Sequence, residues 1–89
     1  MRYLITIEPK TDIAARGVVV PDLPDCFSAG DTLEEAMTRA KDAITDWIEA
    51  TIDDGQDIPA QSHMETLRMA HPKFNGWLWA LVKIDSAMR

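Results

Sequence analysis

Few residues in this chain could carry out chemistry, and they are scattered. The two histidines, His63 and His71, stand apart on either side of a short stretch that ends at Pro72, with no Cys-x-x-Cys pair or second cluster beside them. Zinc takes four protein ligands, or three and a water, so the pair reads as surface residues and no metal is expected. Cys26 is the single cysteine. It cannot form an internal disulfide, and a small buried hydrophobe accounts for it better than a nucleophile does. Ser28, Ser62 and Ser86 lack the strand–turn–helix setting of a nucleophile elbow. What remains is charge and aromatic surface. The net charge is −6. A chain this acidic repels phosphate backbones, so no direct nucleic-acid contact is expected from these residues, and a basic protein partner would be attracted. The bland alternative is that the charge only keeps the domain soluble. Asp22, Leu23, Asp25 and Asp31 gather in one short stretch, and Trp77 and Trp79 fall on one side of the last apolar run. Tryptophan is enriched at interface hot spots. These six are the candidate partner-binding residues; no catalytic residue and no cofactor is expected.

The elements that must position them are organised around one helix. Thr32 and Glu35 have the T-x-x-E spacing of a capping box, in which each side chain satisfies the other's backbone N–H. Leu33, Ala36, Met37, Ala40, Ala43, Ile44, Trp47 and Ile48 recur at three-and-four spacing, so one apolar stripe runs the length of the helix. Gly55 supplies the stop. The helix is expected from about Thr32 to Asp54. Before it, Tyr3 to Glu8 alternates as a strand with Tyr3, Ile5 and Ile7 on the buried face. Pro9 to Arg16 reads as a hairpin turn, and Gly17 to Val20 as a strand buried on both sides. Pro21 and Pro24 lack ladder donors, so the PDLPD segment leaves the sheet. Cys26 to Ala29 is a brief third strand. After Gly55, Ser62 and Glu65 repeat the capping-box spacing and predict a short helix over Met64 to Met69. His71-Pro72 ends it. Trp77 to Ile84 is the last strand.

Eighty-nine residues make one domain, here 1–89. No apolar run approaches the roughly 20 residues of a membrane span. The first residues lack the apolar stretch and cleavage site of a signal peptide, and a lone cysteine fits a reducing compartment, so a cytoplasmic setting is expected. The fold class is α+β in the order β-β-β-α-α-β. It predicts a three-stranded antiparallel meander plus a fourth parallel strand delivered by a right-handed crossover, strand order 3-2-1-4. The long helix lies on one face, with a short second helix.

Val19-Val20-Pro21-Asp22-Leu23-Pro24-Asp25-Cys26, followed by Gly30-Asp31-Thr32-Leu33-Glu34-Glu35-Ala36, closely resembles the HicB antitoxin family. Met1 to Pro9, Ile58-Pro59 and the terminal Trp77-Leu78-Trp79-Ala80-Leu81-Val82-Lys83-Ile84-Asp85 match it too, in order and with the right gaps. The resemblance implies a partial ribonuclease H-like domain. It also implies an antitoxin of a type II toxin–antitoxin system whose partner is a HicA-type toxin, a small basic ribonuclease that cleaves messenger RNA. The antitoxin binds the toxin and covers its catalytic surface. Two departures stand out. The family usually has glycine where this chain has Asp25, so the turn must tolerate a side chain, which Asp does more cheaply than most residues. Family members also commonly continue into a DNA-binding region, so operator DNA is expected only through a C-terminal region beyond these residues.

A ribonuclease H-like fold invites a search for converging carboxylates that would hold two metal ions. Glu8, Glu34 or Glu35, and Asp85 are the candidates. Glu34 and Glu35 already serve the helix start, and the middle of the first strand carries Ile5, Thr6 and Ile7. Three readings therefore stand. The first is an antitoxin that occludes a basic toxin, which is not an enzyme. The second is a stand-alone homo-oligomeric binding protein without a toxin. The third is a metal-dependent nuclease. The last strand has no later strand to pair with and only Lys83 as a charged guard. A homodimer or higher homo-oligomer built on that edge is expected.

Overall fold

The computed structural model describes residues 2–9 and 16–84. Their order is β1 (Arg2–Ile7), β2 (Arg16–Val19), β3 (Phe27–Gly30), α1 (Leu33–Asp53), α2 (Met64–Ala70), a 3-10 turn (Pro72–Phe74) and β4 (Leu78–Lys83). Most of the expected hairpin turn between β1 and β2 lies outside the described residues.

Helix α1 starts and stops where its capping residues dictate. The Thr32 hydroxyl accepts the Glu35 N–H at 3.1 Å. Glu35 returns the contact one residue earlier than a capping box predicts, accepting the N–H of Asp31 at 3.2 Å. At the far end Gly55 adopts φ 74°. There the Gln56 N–H reaches the Thr51 carbonyl and the Gly55 N–H reaches that of Ile52. This double closure is a Schellman motif, which needs a residue free to turn left-handed. Ala36, Ala40, Ile44 and Ile48 form the buried line of the stripe, with Met37, Ala43 and Trp47 packed along its margin. Leu33, at the first turn, is exposed instead.

The sheet has the expected order, β3-β2-β1-β4. Tyr3, Ile5 and Ile7 of β1 join Val18, Val82 and the α1 stripe in one core. The expectation that β1 has a single well-buried face is corrected: Leu4 and Thr6 are buried too. Thr6 pairs with Trp79, and the Trp79 ring meets Phe74, so the 3-10 turn after α2 lies over that second face. Strand β2 is less enclosed than expected. Val18 is buried, whereas Val19, on the face away from α1, is only half-buried.

The expected parallel fourth strand is overturned, because every pairing in the sheet is antiparallel. Strand β3 ends at the β1 C-terminal end of the sheet, and α1 runs back from there. A strand entered directly from α1 would therefore lie parallel to β1. The chain instead traverses the sheet once more before β4. The Tyr3 hydroxyl donates to the Pro59 carbonyl and anchors the connecting segment near the start of β1. Seven residues of α2 advance it by about 10 Å at 1.5 Å each. The 3-10 turn and Gly76 then bring Leu78 opposite Ile7. Strand β4 thus enters from the opposite end, and the handedness rule for parallel crossovers has no hold on this connection.

The tightest approach between the layers is at Gly30. A Cβ there would lie 2.4 Å from the Ala36 nitrogen and 2.7 Å from its Cα, both rigid helix backbone. Gly30→Ala should therefore lift the start of α1 and cost about 1–3 kcal/mol. Thermal unfolding should show a drop of several degrees. Ile44→Asp, which buries an unpaired charge, should abolish the cooperative transition altogether. Unchanged melting in both variants would contradict this seating of the helix.

Candidate partner-binding surfaces

The segment from Val20 to Cys26 is a closed turn with little freedom. The Leu23 N–H donates to the Val20 carbonyl at 3.0 Å, Cys26 N–H to Leu23 at 3.2 Å, and Val20 N–H to Cys26 at 3.2 Å. Pro21 and Pro24 sit where no backbone donor is required. Leu23 is 1% exposed and belongs to the core, so it has no side chain to offer a partner. Trp47 on α1 straps the turn from above, its indole N–H donating to the Pro24 carbonyl at 2.8 Å. Asp25 has φ 61°, in the left-handed region, which accounts for the glycine that the resembled pattern carries there.

Asp22 ties this turn to the second helix. Its carboxylate accepts the Ser62 backbone N–H at 2.8 Å and the Ser62 hydroxyl at 2.7 Å. The expected cap of α2 by Ser62 is thereby corrected. Its hydroxyl is held by Asp22, and the N-cap position falls to His63, which makes no side-chain capping bond. Burial pushes the Tyr3 hydroxyl above its ordinary pKa, and the negative charge of Asp22 adds to the shift. Burial likewise raises the Cys26 thiol, which favours the unreactive protonated form.

The six candidate residues do not form one surface. Asp25 is exposed where β3 begins, and Asp31 is exposed beyond its far end. Asp22 is half-buried and bonded within the fold. Trp77 and Trp79 do come together, at the far edge of the sheet. The Phe74 ring lies 4.8 Å from Trp77 and 6.3 Å from Trp79, centroid to centroid. The His71 ring also lies near Phe74, with centroids 5.6 Å apart and the planes tilted by 33°.

The carboxylate candidates stay apart as well. Glu35 is engaged by the helix start and by Arg39 at 3.3 Å. Asp85 lies outside the described residues. Among the described residues no three His, Cys, Asp or Glu side chains gather in a way that could hold a metal ion. No helix among them is long and apolar enough to cross a membrane.

Sequence reasoning missed Phe27. It is 62% exposed and stands opposite Val19, which pairs with Thr6, which in turn pairs with Trp79. These four residues make a mostly apolar row across the sheet on the face away from α1. The signal was present in the period-2 register, but it needed the strand pairing to be read. The Asp22–Ser62 link left no signal, because its partners are 40 positions apart.

A family profile described as HicB_like antitoxin of bacterial toxin–antitoxin system matches residues 3–89. The chain is 40% identical over 85 residues to an uncharacterised 14.9 kDa protein from the rep–hol intergenic region of Haemophilus phage HP1, covering 96% of this chain and 62% of that protein. In three dimensions it is similar to the HicB antitoxin of Burkholderia pseudomallei, with TM-score 0.84 and 35% identity, across 98% of this chain and 65% of that one. It is also similar to a chain of the HicA3–HicB3 toxin–antitoxin complex, with TM-score 0.75 and 26% identity, across 96% of this chain and 99% of that one. The chain thus spans somewhat under two thirds of the phage protein and of the Burkholderia antitoxin.

The Asp22–Ser62 link can be measured by a double-mutant cycle. Asp22→Ala, which removes both bonds, should cost about 1–3 kcal/mol by chemical denaturation, and Ser62→Ala, which keeps the backbone N–H bond to Asp22, should cost less. The double variant should lose little more than Asp22→Ala alone. Additive losses would mean that the two side chains act independently.

Proposed function

The chain belongs to the HicB-like antitoxin family of bacterial toxin–antitoxin systems, and from that premise we propose that it neutralises a small basic HicA-type ribonuclease by binding it and covering its catalytic surface. In this reading the domain acts by occlusion rather than by catalysis, in the cytoplasm, as a reduced ribonuclease H-like fold. The observation that carries the proposal is the likeness over nearly the whole of this chain to a chain of a solved toxin–antitoxin complex. The charge supports it. From Asp31 to Asp57 the chain carries far more acidic than basic residues. That acid-rich stretch, with the exposed Asp25, would steer a basic partner toward the complex. Asp22 is excluded from this role because its carboxylate holds Ser62.

Self-association belongs to the same proposal. Strand β4 is an outer strand of the sheet, and its Leu78 and Leu81 are each 47% exposed. An apolar sheet edge of this kind is covered in a stable protein, most economically by a symmetry-related copy. The further proposal is a homodimer through β4.

Two measurements test these readings. With a HicA-type toxin as partner, Asp25→Lys combined with Asp31→Lys should slow association about tenfold at low salt and flatten its salt dependence. On-rates that match the parent would place the contact elsewhere. In sedimentation at micromolar concentration the 89-residue chain should run as a dimer, and Leu81→Glu should run as a monomer. A monomeric parent would overturn the edge contact.

A further inference from the structure

The charge on this molecule is segregated, and its overall sign hides one basic, aromatic site. Between Thr66 and Ile84 the sequence contains no carboxylate, but it does contain Arg68, Lys73 and Lys83. The 3-10 turn of this segment lies over the sheet face opposite α1, with the acid-rich helix on the other side; Glu65, one turn before Arg68 on α2, is the carboxylate nearest to the segment in sequence before it. Within the segment is an open cleft of about 540 Å³, lined by residues that include Arg68, His71, Phe74, Asn75, Trp77 and Trp79. Three features define its chemistry. The Trp77 and Trp79 rings are half-buried and braced against Phe74, so they present fixed aromatic surface to the cleft. Arg68 supplies a planar fork of donors, and Lys73 sits 5.2 Å from the Phe74 ring centroid, so positive charge borders the aromatic floor. The Asn75 side chain, exposed at the lip, offers both a donor and an acceptor.

We propose that this cleft binds a nucleotide, with its base against the Trp77–Phe74–Trp79 aromatic cluster and its phosphate on Arg68. Aromatic stacking is worth about 1–3 kcal/mol per base and tolerates any base. The arginine fork matches phosphate oxygens two at a time. The volume lies within the usual range of about 300–1,000 Å³ for small-ligand sites. An acidic peptide is the weaker fit, because its carboxylates would use Arg68 but its side chains would leave the paired tryptophan surfaces and the Asn75 amide without matched partners. The net charge of −6 does not oppose the proposal, since no carboxylate is among the residues lining the cleft. This site is separate from the toxin-binding reading and does not depend on it. The ligand could be a free nucleotide or one nucleotide of single-stranded RNA, and both supply the same base and phosphate.

The test follows the indole N–H signals of Trp47, Trp77 and Trp79 by NMR, assigned with Trp→Phe variants. The full chain is titrated with adenosine monophosphate, uridine monophosphate, a short single-stranded oligoribonucleotide and an acidic aromatic tripeptide. The Trp77 and Trp79 signals should move with the nucleotides, while that of Trp47 stays still. Arg68→Glu should weaken binding about tenfold with no change in thermal unfolding, because Arg68 is exposed, and Lys41→Glu on α1 should have no effect. Saturation by the mononucleotides alone assigns a free nucleotide; much tighter binding of the oligomer assigns RNA. The proposal is overturned if no nucleotide moves these signals at millimolar concentration, if only the peptide does, or if Arg68→Glu binds as the parent does.

Discussion

Where the long helix meets the sheet there is no room for a side chain. A Cβ on Gly30 would fall 2.4 Å from the Ala36 backbone nitrogen. Ala36 and Ala40, the smallest residues of the stripe, are buried without remainder on the same side of α1. This close seating places α1 over β3 and β2 rather than over the centre of the sheet. The outer strand β4 is only partly covered on that face: Leu78 is exposed although it points to the same side as the buried Ile5 and Ile7. The opposite face needs its own cover, and α2 with the 3-10 turn supplies part of it through Leu67 and Phe74.

The turn between β2 and β3 joins the two halves of the molecule. Leu23 fills the core beneath α1, Trp47 holds the turn from the helix, and Asp22 holds the start of the second helix. A segment that looks from its composition like an acidic recognition loop is therefore mostly structural. Of the carboxylates in the turn, Asp25 is the exposed one. Its left-handed backbone is tolerable because a short polar side chain carries a smaller steric penalty there than a branched one would.

Local signals in the sequence were read well. The Thr32–Glu35 cap, the Gly55 stop and the three-and-four stripe set α1 to within a residue at each end, because each depends on contacts between near neighbours. Strand order was legible too, since the meander leaves few alternatives. The direction of β4 was not. It depends on residues 54–77 making one more pass along the sheet, and no periodicity records the path of a connecting segment. The candidate site was only partly legible for a similar reason. Residue type singled out Asp22 and Leu23, but their roles are set by Ser62 and by the underside of α1, both distant in sequence. Trp77 and Trp79 do share a cleft, but through contact with Phe74 rather than strand alternation, since Trp77 lies before β4, while Arg68 and Asn75 come from another element and a turn. Averaging the charge over the whole chain also concealed that this cleft is lined by no carboxylate.

We propose that this fold acts on a toxin by covering it. The direct measurement is RNA cleavage by a purified HicA-type toxin, titrated with the chain itself. Inhibition should rise linearly and end at a fixed stoichiometric ratio, with an isolable complex at that point. Cleavage that continues unchanged in excess chain, with no complex formed, would contradict the account.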